Sequence, residues 1–178
     1  ELSMPEKLGE VSETPIGSKR KQVDITFKNG DRYTGEANKD GWPHGVGDYT
    51  FPNGDKYTGK FKNAKRHGQG TYSWIDGTTY EGEWKGSQKS GHGIYIKPDG
   101  SKYVGGYKAD QRWGQGVLTE PDGGRYEGEF ADGEPQGQGT YTFANGDTHT
   151  GGFKKGVATG KGVHTYANGD SYTGSYKN

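Results

Sequence analysis

Tyr57-Thr58-Gly59-Lys60-Phe61, followed by Arg66-His67-Gly68-Gln69-Gly70-Thr71-Tyr72-Ser73-Trp74 and the turn Asp76-Gly77, is the stretch on which the fold depends. Its opening Tyr-x-Gly-x-aromatic recurs as Tyr80-Gly82-Trp84, Tyr103-Gly105-Tyr107, Tyr126-Gly128-Phe130 and Tyr172-Gly174-Tyr176. Tyr33-Gly35 and His149-Gly151-Phe153 are variants of it. Successive starts are 23 residues apart, with 24 between Tyr33 and Tyr57. A fixed period of this size marks an array whose units bury their apolar faces only against neighbours. Such arrays offer extended surfaces, so the chain reads as a binding or scaffolding protein before it reads as an enzyme.

Each unit carries two strand signals. The second follows a short polar loop, as in Gly68 to Trp74 or Gly91-His92-Gly93-Ile94-Tyr95-Ile96. An Asn-Gly or Asp-Gly turn of the hairpin kind then closes the unit, from Asn29-Gly30 to Asn168-Gly169. Side chains alternate faces along a strand, so Tyr, Gly and the second aromatic of the first strand share one face with Gly68, Gly70, Tyr72 and Trp74 of the second. Glycines on that face leave room for rings to lie across the backbone. Thr34/Glu36, Glu81/Glu83, Glu127/Glu129 and Thr140/Thr142 form the opposite, solvated face. Helical periodicity is absent. Val117-Leu118-Thr119-Glu120 lacks aromatics and interrupts the ring face locally.

Composition fits a thin aromatic layer and excludes a large aliphatic core. Only 26% of residues are hydrophobic against a usual 45–50%, yet 13% are aromatic and the 35 glycines recur in register. With 23 basic and 23 acidic residues there is no basic footprint for nucleic acid. Zero cysteines remove disulfide and thiolate chemistry and fit a reducing compartment. No stretch has the length of a membrane span, and no amphipathic basic stripe points to direct lipid binding.

Catalytic constellations are absent. His44 and His67 precede Gly-x-Gly in repeat register and read as loop-packing residues. Gly156 to Gly162 has one residue too few for a phosphate loop, and Gly162 stands where Ser or Thr would bind magnesium. The pairs Glu81/Glu83 and Glu127/Glu129 have nothing apolar beside them to raise a pKa. No catalytic, cofactor-binding or metal residue is assigned. The candidate partner-binding residues are the ring face, Tyr57, Phe61, Tyr80, Trp84, Tyr103, Tyr107, Tyr126 and Phe130, whose rings either receive a partner segment or only pack on one another. Trp42 joins them because it stands in for the aromatic that Ala37 lacks.

Tyr-x-Gly-x-Trp-(x)5-His-Gly-x-Gly at this spacing resembles the MORN (membrane occupation and recognition nexus) repeat, most closely over residues 57–70, and seven units in series carry the resemblance across about residues 24–178. It implies an all-β, single-layer antiparallel β solenoid of stacked hairpins, roughly 65 Å long at ~4.8 Å per strand. Within it, residues 1–22 are expected as a flexible or partner-ordered tail and residues 23–178 as the array. The first unit, 33–56, is slightly irregular, and the last is truncated at 172–178, leaving a strand edge for a partner or a second copy to cover. The resemblance further implies a non-enzymatic scaffold joining proteins of a multi-subunit assembly, similar to the radial spoke head components of the ciliary or flagellar axoneme, in the cytoplasm and cytoskeleton. The same repeats also precede phosphatidylinositol-phosphate kinase and lysine methyltransferase domains and occur in membrane-junction scaffolds.

Overall fold

The computed structural model describes residues 6–8, 12–15 and 20–177. Among them there is no helix, and fifteen strands follow in chain order. They are β1 (Ser12–Pro15), β2 (Lys21–Thr26), β3 (Arg32–Ala37), β4 (Pro43–Thr50), β5 (Lys56–Lys62), β6 (Lys65–Ser73), β7 (Thr79–Lys85) and β8 (Gln88–Ile96), then β9 (Lys102–Lys108), β10 (Gln111–Thr119), β11 (Arg125–Ala131), β12 (Glu134–Thr142), β13 (Thr148–Lys154), β14 (Val157–Thr165) and β15 (Ser171–Tyr176). The chain divides into two compact units, residues 1–89 and 90–178, with the boundary inside β8. Within each, strands pair antiparallel with their sequence neighbours, an all-β single layer of hairpins.

In the first unit the register lines up Ile25, Tyr33, Tyr49, Tyr57, Tyr72 and Tyr80 as successive cross-strand partners. The adjoining row is glycine, Gly35, Gly47, Gly59, Gly70 and Gly82. In the second unit the rows run Tyr95, Tyr103, Leu118, Tyr126, Tyr141, His149, His164, Tyr172 and Gly93 through Gly174. The glycines are there for the rings. A Cβ added to Gly70 would lie 2.2 Å from the Tyr57 hydroxyl, and one added to Gly59 would lie 2.4 Å from the Gly70 Cα. The core is therefore a ring layer pressed on bare backbone, and Leu118 takes the row position where the aromatic is missing.

Two corrections concern the strand ends. The second strands begin earlier than the sequence signals suggest: β6 starts at Lys65 and not at Gly68. What reads as a polar loop is a two-residue turn, with left-handed Asn63 (φ 48) and Ala64 (φ 63), followed by a β-bulge opposite Gly59–Phe61. Part of the expected tail also joins the sheet, because β1 pairs with β2 from Ser12↔Asp24 to Pro15↔Lys21 and Lys7 bridges to Phe27. Over those residues the ordering contacts come from the same chain. Residues 1–5, 9–11 and 16–19, and Asn178 at the expected open edge, lie outside the described residues.

Candidate interaction surface

In the first five repeats the leading tyrosine is the anchor of the layer. Its ring lies over the glycine row and its hydroxyl donates to the backbone carbonyl three residues on. The pairs are Tyr57 to Lys60 (2.9 Å), Tyr80 to Glu83 (3.1 Å), Tyr103 to Gly106 (3.0 Å) and Tyr126 to Glu129 (3.1 Å), with Tyr33 to Glu36 alike. Burial pushes the hydroxyls of Tyr57, Tyr103 and Tyr126 up to about 12. The second aromatic of the strand packs edge-on against it, as Trp84 does on Tyr80 at 5.1 Å, and Trp84 also meets Tyr57 of the preceding repeat at 5.4 Å. Arg66 closes the group from outside, its guanidinium 4.4 Å from the Trp84 ring and 5.0 Å from Tyr72, while donating to the Ser87 carbonyl at 2.9 Å.

The candidates Tyr57, Phe61, Tyr80, Trp84, Tyr103, Tyr107, Tyr126 and Phe130 all belong to this anchor layer and are buried, at 0–7% exposure. Trp42 is half-buried, with the Lys7 ammonium 4.8 Å from its ring centre. The structure therefore places four of these rings in the interior of each unit.

Reachable rings lie elsewhere, at the ends of the second strands. In the first unit Tyr49, Phe51, Tyr72 and Trp74 form a chain of ring contacts at 4.8, 5.6 and 4.4 Å, and Phe51 and Trp74 are half-buried. Ile75 beside them is 72% exposed and lies over the turn glycine Gly54. In the second unit Tyr141, Phe143, His164 and Tyr166 form the equivalent chain at 4.7, 5.6 and 4.7 Å. Phe143 and Tyr166 there are 40% and 47% exposed. Each unit thus has an aromatic ledge beside its tight turns. Lys97 and Glu120 occupy the intervening repeat positions.

Turn carboxylates fix the inner rings of the ledges. Tyr49 donates to Asp31 at 2.6 Å and Tyr72 to Asp55 at 2.9 Å. Asp55 also accepts from the Asn53 amide and from the Ile75 N–H. Its burial opposes ionisation, but these donors outweigh it and hold its pKa below the usual value. The turns read Asn-Gly-Asp or Asp-Gly-Thr/Ser/Gly, never with both acids, because the first and third side chains are within hydrogen-bond reach. In the second unit Tyr141 donates to Glu120, which with burial raises its hydroxyl to about 12. His164 Nε2 lies 3.6 Å from Asp147.

A separate groove of about 330 Å³ in the first unit is lined by Arg20, Glu36, His44, Lys60, Lys62 and His67 among others. Glu36 is already committed there, to Arg20 at 3.0 Å and to the Val46 N–H at 3.0 Å, and His44 Nδ1 faces Asn63 Oδ1 at 3.2 Å. Among the described residues no group of three or more His, Asp or Glu could hold a metal ion.

The MORN repeat model matches six consecutive segments, 39–56, 57–79, 80–102, 103–125, 126–148 and 149–171. The chain belongs to the MORN repeat family. MORN arrays are a protein-interaction scaffold type and not a catalytic one. No curated protein matches the chain. Among solved structures it is similar to the TCP domain of SAS-4 (dCPAP) of Drosophila melanogaster, described as in complex with a proline-rich motif of Ana2 (dSTIL). That likeness has a TM-score of 0.54 at 16% identity and covers 94% of this MORN chain and 90% of the other. A mutant TCP10 domain of Danio rerio CPAP is also similar, with a TM-score of 0.41, 15% identity and coverage of 94% and 100%. At 16% identity the likeness to the SAS-4 domain is one of fold.

Proposed function

We propose that this MORN array is a scaffold whose two aromatic ledges dock extended, proline-rich segments of partner proteins. The observation that carries the reading is the pair of ring rows beside the turns, half-buried Phe51/Trp74 and exposed Phe143/Tyr166, next to the buried rings Tyr57 to Phe130. Polyproline II segments dock on aromatic-lined surfaces because they are preformed and lose little entropy on binding. The proline-rich motif in the complex of the similarly folded TCP domain supports the same peptide class. Acidic groups beside the ledges, Asp76 in one unit and Glu120 and Asp170 in the other, favour partners with basic residues next to their prolines. The buried first-strand rings, Tyr57 to Phe130, hold the ledges in place from beneath.

The setting we infer is a cytoskeletal assembly, a ciliary or flagellar axoneme with a radial spoke head-like role, on the strength of the family resemblance. Affinity purification from the native source is expected to recover axonemal subunits; recovery of membrane or nuclear proteins alone contradicts that setting. The docking reading is tested with a fluorescent polyproline peptide carrying one arginine. Binding to the full chain is expected, and Phe143→Ser with Tyr166→Ser should weaken the second site by at least about tenfold. Unchanged affinity would remove the second ledge from the account.

A further inference from the structure

Repeat six departs from the other units in a way that bears on the second ledge. The leading ring is His149 where the other six repeats have tyrosine, and its cross-strand partner on the ledge is His164 where the first unit has Tyr49 and Tyr72. The His149 ring lies on the same glycine floor, with a Cβ on Gly162 falling 2.6 Å from its Cε1. It is only 3% exposed, and its Nε2 is buried without a hydrogen-bond partner. An imidazole is shorter than a phenol and carries no hydroxyl, so the carbonyl bond made by Tyr33, Tyr57, Tyr80, Tyr103 and Tyr126 is lost here.

We propose that the second ledge is a docking site released by mild acid, with His149 as the trigger and His164 as the ring that leaves the ledge. The proposal rests on reading that ledge as a peptide-binding surface. A proton on His149 would sit in a closed cup with no counter-ion. The titratable groups around it are Tyr141 on β12, His164 on β14, and Tyr172 and Tyr176 on β15, the last with its ring 4.4 Å away. Two carboxylates of the second ledge are spoken for, Asp147 by His164 and Glu120 by Tyr141. Lys154 and Lys161 fall on the opposite face by strand parity. His164 is wedged between Phe143 (5.6 Å) and Tyr166 (4.7 Å), so parting the two histidines breaks the ring chain of the ledge. Burial, and next the neighbouring His164, lower the His149 pKa from its ordinary 6.5. The unfolded state therefore takes up the proton first, and stability of the repeat falls as pH drops below that ordinary value.

Hydrogen exchange of the full chain at about pH 7.5 and about pH 5.5, corrected for intrinsic exchange, tests the trigger without ligand. The expected result is a loss of protection of about tenfold or more in β13–β15, with β3–β7 unchanged. His149→Tyr, which restores the repeat pattern, and His149→Phe, which removes the titration without adding a hydroxyl, should both abolish the loss. No loss in the native chain, or the same loss in both variants, would overturn the trigger. The polyproline probe, followed by amide shifts at each ledge, should leave the second ledge at the lower pH and stay on the first. Binding at neither pH removes the docking reading itself, and exchange then decides the trigger alone. Binding to the second ledge that is equal at both pH values overturns the release.

Discussion

Repeat two and repeat six occupy the same frame with different anchors. In repeat two Tyr57 reaches the Lys60 carbonyl at 2.9 Å, Tyr72 reaches Asp55 at 2.9 Å, and Arg66 covers the group. In repeat six His149 Nε2 has no hydrogen-bond partner, His164 stands 3.6 Å from Asp147, and Ala158 holds the position of Arg66. The strand pairing is nevertheless the same. What the fold requires is a ring on a glycine floor; the phenolic hydrogen bonds are an added fastening, and repeat six lacks them. The two repeats should therefore fail at opposite ends of the pH scale.

The largest expected effect is alkaline. Burial raises the hydroxyls of Tyr57, Tyr72 and Tyr103 to about 12 from the ordinary 10.0. The unfolded chain loses these protons first, so stability holds up to about pH 10 and falls from there towards pH 12. Circular dichroism against pH should show loss of sheet in that window, whereas repeat six responds near the histidine range.

Next comes the floor. Gly59→Ala would drive a Cβ to 2.4 Å from the Gly70 Cα, where no side chain can move aside, and should cost more than about 3 kcal/mol. Gly151→Ala in repeat six meets Gly162 at 2.9 Å and should cost less. Urea unfolding of the two variants measures the difference; equal losses would mean that the histidine repeat is packed as tightly as the tyrosine one. Exchanging the anchors is gentler. Tyr57→His should lose roughly 1–3 kcal/mol and His149→Tyr should gain about 1 kcal/mol, the worth of one buried hydrogen bond. The smallest effect lies in a turn. Ala64→Gly relieves a left-handed alanine and makes an Asn-Gly pair, for a gain of about 0.5–1 kcal/mol by the same urea measurement.

Much of the frame was legible because period and parity are properties of sequence. Tyr-x-Gly-x-aromatic put Tyr57, Gly59 and Phe61 on one face, and the Asn-Gly and Asp-Gly pairs marked the tight turns. The early start of β6 was hidden because Asn63-Ala64 carries no glycine, and the bulge after it shifts the register. β1 was hidden because Ser12–Pro15 pairs through backbone and shows no apolar alternation. The candidate rings Tyr57 to Phe130 lie in the buried layer, and the reachable rings beside the turns carry a weaker sequence signal. Tyr57 and Trp84 carry strong repeat signals and are buried, whereas Phe51, Trp74, Phe143 and Tyr166 sit beside the turns, where less of the sheet covers them. Their spacing was visible at 51, 74, 143 and 166, with Lys97 and Glu120 between. So was the acid that alternates between the first and third turn positions, which marks where a ledge tyrosine is tied.

The most direct test is an amide shift map of the full chain titrated with the arginine-bearing polyproline peptide at neutral pH. The predicted result is two clusters of shifts, one around Phe51, Trp74 and Ile75 and one around Phe143, His164 and Tyr166. Shifts confined to the charged face, around Lys60, Glu81 or Glu127, or no shifts at all, would contradict it.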